Sequence, residues 1–380
     1  MKKQMLAVLV GAAVASPALV IADDAQTRGG LKIVSADGNF EGSVGGRIHF
    51  DAYFFDNDLT DSTSTSEFRR ARITLKGKLY DWGYVFENDF AGQSGTTGTG
   101  FRDMNIYTKV GPGKLTIGQF KPYRSMEEIT SSNDILMMER PYASATGIYN
   151  GRQFQQGVGY LISDDQYTLG VAGFNTKSAG DNRNEGLGGS ARATFAPIMQ
   201  DNMVVHMGAS YSVENANSMT TAFEAEADYV GRRGPSETIA LTTEGESVNT
   251  VGLEAAISAG PVFAQAEYAI ADFGNATGDD EEVQTYYIQG AYTLTGQMKP
   301  YKSSKGVFTT AKGNNIVQLT ARYDYIENKD VTDLEAETTS VGVNYYLNPA
   351  MRFMLNYVMG ENTLTGDESN QVALRAQMAF

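Results

Sequence analysis

The sequence predicts an all-β protein, a transmembrane antiparallel β-barrel of about 16 strands. Three observations carry that prediction. Apolar and polar residues alternate over segments of roughly ten residues divided by turn residues, the pattern of a strand with lipid on one side and water on the other. No stretch beyond the N-terminal region has the roughly 18 unbroken apolar residues of a helical span. The chain also ends on Phe380, an aromatic at the end of an alternating strand.

Taken in order, residues 1–22 read as a secretory signal peptide. Lys2 and Lys3 form the basic start, Met5 to Ala15 the apolar core, and Val20-Ile21-Ala22 a small-residue cleavage site before Asp23-Asp24. The apolar core is shorter than the roughly 20 residues a membrane-spanning helix needs. Residues 23–41 form a polar periplasmic lead, and 42–380 the barrel. Within it strands are expected at 43–55, 68–79, 83–91, 102–110, 113–120, 152–162, 166–175, 187–196, 203–214, 248–259, 261–273, 283–294, 315–327, 335–347, 350–360 and 370–380.

The first strand shows the reasoning. Val44, Ile48, Phe50 and Phe54 fall on one face, and Arg47, His49, Asp51 and Tyr53 on the other. Likewise Ala71, Ile73 and Leu75 oppose Arg70, Arg72, Lys76 and Lys78. At the end Val372, Leu374, Ala376, Met378 and Phe380 oppose Gln371, Arg375 and Gln377. A soluble β-sandwich alternates too, because one sheet face packs on a core. Aromatics near strand ends (Phe54, Tyr80, Tyr292, Tyr357) and cations in mid-strand favour a membrane wall around a wet lumen. Tight links such as Asp81-Trp82-Gly83 and Gly111-Pro112-Gly113 belong at the periplasmic end, and long ones outside. Two long links, 121–151 and 215–247, are expected to fold into the lumen. The first is too apolar for a loop in water.

Composition narrows the function. The chain has 380 residues with Lys+Arg 30, Asp+Glu 45, a formal net charge of −15 and no cysteine. The acidic balance argues against a nucleic-acid partner. Without cysteine there is no disulfide scaffold and no thiolate metal site, and two histidines leave little for a His-based centre. No metal, cofactor or catalytic site is predicted; His49, beside Arg47 and Asp51, reads as a lumen residue.

A pore selects by width and by the charge of its lining. The polar faces carry Arg47, Arg70, Arg72, Lys76, Lys78, Lys109, Lys114, Arg322, Arg352 and Arg375. The acids there are fewer: Asp51, Glu87, Asp89, Asp103 and Asp324. The excess negative charge falls in outer links, as in Asp279-Asp280-Glu281-Glu282. A basic lumen in an acidic protein concentrates small anions. Phe68-Arg69-Arg70-Ala71-Arg72 is the densest cluster, and guanidinium forks match phosphate and carboxylate oxygens. Lys121 opens the first infolded link.

Several segments resemble the phosphate-selective porin O and P family. They are Gly45-Gly46-Arg47, Phe68-Arg69-Arg70-Ala71, Asn88-Asp89, Gly118-Gln119-Phe120, Thr130-Ser131-Ser132, Glu139-Arg140, Gln265-Ala266-Glu267-Tyr268, Ala291-Tyr292-Thr293-Leu294-Thr295-Gly296 and Arg322-Tyr323-Asp324. The resemblance implies a sixteen-stranded outer-membrane porin, a homotrimer embedded among lipid and lipopolysaccharide, passing small anionic solutes. It also implies a central anion site at Arg69, Arg70, Asp89, Ser131, Ser132 and Arg140. Three places depart: Glu127 and Glu128 stand where the family has a lysine, Lys121 stands where it has a tyrosine, and the third is a whole segment. Where the family carries a run of arginines on the second infolded loop, residues 222–230 read Ala-Phe-Glu-Ala-Glu-Ala-Asp-Tyr-Val. The transported solute therefore stays open between phosphate, polyphosphate-like and other small anions. A general pore or a structural, adhesive barrel are the alternatives.

Overall fold

A computed structural model describes residues 19–21, 31–91, 100–149, 153–176, 186–216, 223–242 and 244–380. Sixteen antiparallel strands close on themselves. They are β1 (Phe40–Asp56), β2 (Thr65–Leu79), β3 (Trp82–Asp89), β4 (Phe101–Val110), β5 (Gly113–Phe120), β6 (Gln155–Ser163), β7 (Tyr167–Thr176) and β8 (Gly186–Gln200). The second half is β9 (Met203–Ala216), β10 (Gly245–Ala259), β11 (Val262–Asn275), β12 (Glu281–Thr293), β13 (Ile316–Asn328), β14 (Glu335–Tyr346), β15 (Met351–Asn362) and β16 (Asn370–Ala379). Each strand pairs with the next, and β16 returns to β1 in a register running from Asn370 opposite Asp56 to Ala379 opposite Arg47.

The closure is local chemistry. Gly46 and Phe380 exchange backbone hydrogen bonds at 2.8 and 3.1 Å, so the last residue completes the seam. A Cβ on Gly46 would stand 2.8 Å from the Phe380 ring and 2.4 Å from the Arg72 carbonyl, which only glycine avoids.

Burial is inverted relative to a soluble protein. Ile48, Phe50, Phe54, Ile73, Leu253, Ile288, Leu355 and Leu374 are exposed on the outer face. Between them along the same strands, His49, Asp51, Arg72, Glu254, Gln289, Asn356 and Arg375 are buried inside. Exposed apolar and buried polar residues in strict alternation suit a wall with lipid outside.

The expected strand order holds strand for strand, but many strands are longer than their alternation. β2 starts at Thr65 rather than 68, because Thr65-Ser66-Glu67 lie where the wall no longer needs an apolar face. β8 continues past Pro197 to Gln200 through a register shift between Phe195 and Ile198. A bulge accommodates the missing proline N–H, so the strand runs beyond its expected end at 196. Of the expected signal peptide, only Leu19–Ile21 lie among the described residues, where they pair with Ile33–Ser35. The rest of 1–22, like 23–30 of the lead, lies outside them. Leu31–Ser35 is a further strand, adding to the start of β1.

One connection has no counterpart in the sequence reading. Residues 294–315 join β12 to β13 at the short-turn end, yet turn back into the barrel. Val307 and Phe308 pack there with Val204, Phe263, Met126 and Leu136.

Candidate functional site

The lumen is narrowed by chain that the wall holds in place. The first infolded segment begins with a short helix, Met126–Ile129. Its amide donors converge on Glu267 of β11, which accepts from the backbone of Met126 and Glu127 and from Ser125 Oγ. Further along, Arg352 donates to the carbonyls of Ile135 and Leu136 at 2.9 and 3.0 Å. Asn356 Oδ1 accepts from the Met138 amide at 2.8 Å, and Arg375 donates to the Met138 carbonyl at 2.6 Å. Arg322 donates to the Glu139 carbonyl at 2.9 Å, and Asp324 accepts from the Tyr142 amide. The polar faces of β11 to β16 thus satisfy an irregular backbone that water would otherwise have to solvate. Glu267→Ala removes the acceptor for those three donors and should destabilise the barrel by about 1–3 kcal/mol. Thermal unfolding in detergent would register this, with Glu267→Gln, which keeps one acceptor oxygen, intermediate.

Opposite that anchored side lies a cavity of about 800 Å³ facing the periplasmic end. Lys32, Arg47, Arg72, Lys76, Lys114, Lys121, Arg140, Arg192, Lys302 and Lys305 line it, against Glu41, Glu87, Asp103 and Asp134. A smaller cavity of about 210 Å³ opens towards the outer end, lined among others by Arg69, Glu139, Arg140, Glu226, Asp228, Arg232, Arg322 and Asp324. Arg140 borders both. It is held there by donating to the carbonyls of Glu127 (3.1 Å) and Thr130 (2.6 Å).

A backbone irregularity brings the paired arginines together. Between β1 and β2, His49 faces Arg70 and Phe50 faces Phe68, leaving Arg69 as the extra residue of a bulge. Both guanidiniums therefore reach the interior, where alternation alone left Arg69 unassigned. Arg69 clasps Glu139 through two 2.8 Å bonds. Burial would raise the Glu139 carboxyl, but Arg69, Arg375 and Arg70 outweigh it and hold it well below the usual carboxylate range. Arg70 is only 4% exposed, and its Nε and Nη1 have no hydrogen-bond partner among the described residues. A buried guanidinium without an acceptor is costly unless a ligand supplies one.

Around this pair Arg47 donates to Ser132 Oγ (3.0 Å), Ser131 Oγ (3.3 Å) and Glu87 (3.1 Å). Arg72 bonds Asp89 (2.8 Å) and Glu87 (2.9 Å). Lys121 donates to the Glu128 carbonyl and lies 5.4 Å from the Phe154 ring centroid. Burial first, then Arg140, hold its ammonium well below the usual lysine range.

The expected site residues thus separate. Arg47, Arg72, Lys121, Ser131, Ser132 and Arg140 border the inner cavity, Arg69 and Arg140 the outer one, Arg70 is buried and borders neither, and Asp89 is engaged by Arg72. Lys76 and Lys114 line the inner cavity, and Lys109 pairs across the strand with Lys114. Lys78 is exposed near the end of β2. Arg352 and Arg375 point inward but do not border the inner cavity: Arg352 donates to the infolded segment, and Arg375 to that segment and to Asp51 of β1. Arg322 reaches only the outer cavity. The sequence reading missed Arg192, Lys302 and Lys305. Arg192 is fixed by Glu254 of β10 and donates to the carbonyls of Lys305 and Gly306, which positions the inturned 294–315 segment. Lys-Pro-Tyr-Lys-Ser-Ser-Lys at 299–305, lying between two strands in a gap too long for a tight turn, was the available signal.

Comparison with known proteins agrees with this fold. The family model for phosphate-selective porin O and P matches residues 43–380. Porin O of Pseudomonas aeruginosa is 29% identical over 407 aligned positions, covering 93% of this chain and 92% of that protein. Among solved structures, an anion-selective porin from Comamonas acidovorans superposes with a TM-score of 0.60 at 12% identity, covering 90% of this chain and 100% of that one. The trimer form of OmpT from Vibrio cholerae gives 0.54 at 12% identity, covering 90% and 99%.

Proposed function

Because the chain belongs to the phosphate-selective porin O and P family, we propose that it is an outer-membrane porin in which small oxyanions of the phosphate type diffuse along a basic lumen past Arg70 and Arg140. The carrying observation is Arg70, buried beside Arg69, Arg72 and Arg375, whose Nε and Nη1 donate to nothing among the described residues. An oxyanion at that point would satisfy them, and the cations of the inner cavity would draw it onward to the periplasm. Ser131 and Ser132, oriented by Arg47, supply hydroxyls, and Lys121 supplies a further N–H donor. Asp89 restrains Arg72, which keeps the guanidinium from collapsing onto the solute.

Passage through such a pore is diffusion down a gradient, with no bond made or broken. Export would use the leader at 1–22 with cleavage after Ala22. Residues 121–151 and 215–247 act as the constricting loops of the 42–380 barrel. Trimer assembly is supported by the trimer form of the Vibrio relative in fold. The outer carboxylates Asp279, Asp280 and Asp330 would meet lipopolysaccharide phosphates through bridging divalent cations.

Inorganic phosphate should block the chloride current through single channels in a planar bilayer. Arg70→Ala should weaken that block roughly tenfold or more, the worth of a hydrogen bond to a charged group. An unchanged block in Arg70→Ala would remove Arg70 from the conduction path.

A further inference from the structure

The second infolded segment carries a charge pattern that the anion pathway does not use. Its hairpin runs through Phe223–Ala227 and returns through Glu237–Thr242. Phe223, Ala225 and Ala227 are buried against the wall, in one cluster with Val248, Ala271 and Phe273. Alternation then turns Glu224, Glu226 and Asp228 away from the wall, and all three are exposed. Glu226 and Asp228 line the outer cavity, on the far side of Arg140 from the basic inner one. The two arginines that follow offset this stripe only in part, because Arg232 and Arg233 share the single carboxylate of Glu67 of β2, while Arg69 and Arg322, also at the outer cavity, are paired with Glu139 and Asp324. The pore therefore changes sign along its axis, with Arg140 at the junction.

We propose that the channel is a bipolar rectifier: a carboxylate-lined outer segment in series with a cation-lined inner one, passing more ionic current in one direction than in the other. This rests on the chain being an open anion pore. The sign follows from which ions can enter. With the outer solution positive, cations enter through the negative segment and anions through the positive one, so both accumulate at the junction and conduction rises. With the polarity reversed, each ion must enter through the segment that repels it, the junction empties, and conduction falls. For uptake, the outer stripe slows a bare multivalent anion and favours one that arrives with its counter-cation or carries its own positive group.

Single channels of the full-length protein in planar bilayers, at pH 8 and 0.05 M KCl, should show instantaneous currents at opposite voltages differing by roughly twofold or more. The asymmetry should shrink at 1 M KCl, where the Debye length is about 3 Å. The triple variant Glu224→Gln, Glu226→Gln, Asp228→Asn changes charge but hardly size, so it should still insert, with a current ratio near one. Symmetric wild-type currents at low salt would overturn the proposal, as would a ratio unmoved by the triple variant or by salt. Symmetric currents with chloride selectivity intact defeat the rectifier alone, whereas a film that stays electrically tight defeats the pore reading beneath it.

Discussion

Arg140→Ala is expected to abolish most of the anion preference while raising the conductance. Arg140 is the point shared by the inner and outer cavities, so its side chain both narrows the path and charges it. The two hydrogen bonds that hold it go to neutral carbonyls, of Glu127 and Thr130, so its charge is not cancelled by a bonded carboxylate. Removing one unit charge a few ångströms from a passing ion should cost about 1–2 kcal/mol, or roughly five- to thirtyfold in chloride over potassium permeability. Arg140→Lys keeps the charge but not the planar fork. It should retain selectivity for chloride and lose part of the block by phosphate. Bilayer permeability ratios for the two variants separate charge from shape.

Arg375→Ala should produce the largest loss of stability, about 3–5 kcal/mol, because it breaks a buried ion pair from one side. Arg375 meets both Asp51 oxygens at 2.7 and 2.6 Å, Glu139 at 2.9 Å and the Met138 carbonyl at 2.6 Å. It joins the closing seam of the barrel to the infolded segment, and both Arg375 and Asp51 are buried. Without it, among the described residues, Asp51 keeps the 2.7 Å bond from the Tyr53 hydroxyl alone. The double replacement Arg375→Leu with Asp51→Leu leaves no unpaired charge at the seam and should unfold at a higher temperature than Arg375→Ala. Thermal unfolding in detergent, followed by the loss of the compact band on unheated gels, reports both.

What was legible in the sequence follows from what a membrane wall demands. Lipid requires an apolar residue at every second position, so Ile48, Phe50 and Phe54, or Val372, Leu374 and Met378, disclose strand, face and register together. The infolding of 121–149 was legible because Ile135-Leu136-Met137-Met138 would be unsuited to water. Its anchors were not. Arg352 and Arg375 look like pore-lining cations on a single strand, and only tertiary placement shows that Arg352 donates to loop carbonyls and Arg375 to Asp51, Glu139 and the Met138 carbonyl. The inward orientation of Arg69 depends on one unpaired residue, and alternation cannot reveal a bulge. The inturned 294–315 segment escaped because its apolar pair, Val307-Phe308, is too short for a periodic signal.

The central claim is that a closed barrel surrounds a path whose narrow part is cationic. The zero-current potential across a planar bilayer holding the protein between concentrated and dilute KCl tests it most directly. Chloride passing faster than potassium would make the dilute side negative, which is the result predicted here. A dilute side that becomes positive, or a bilayer that carries no current at all, would contradict it.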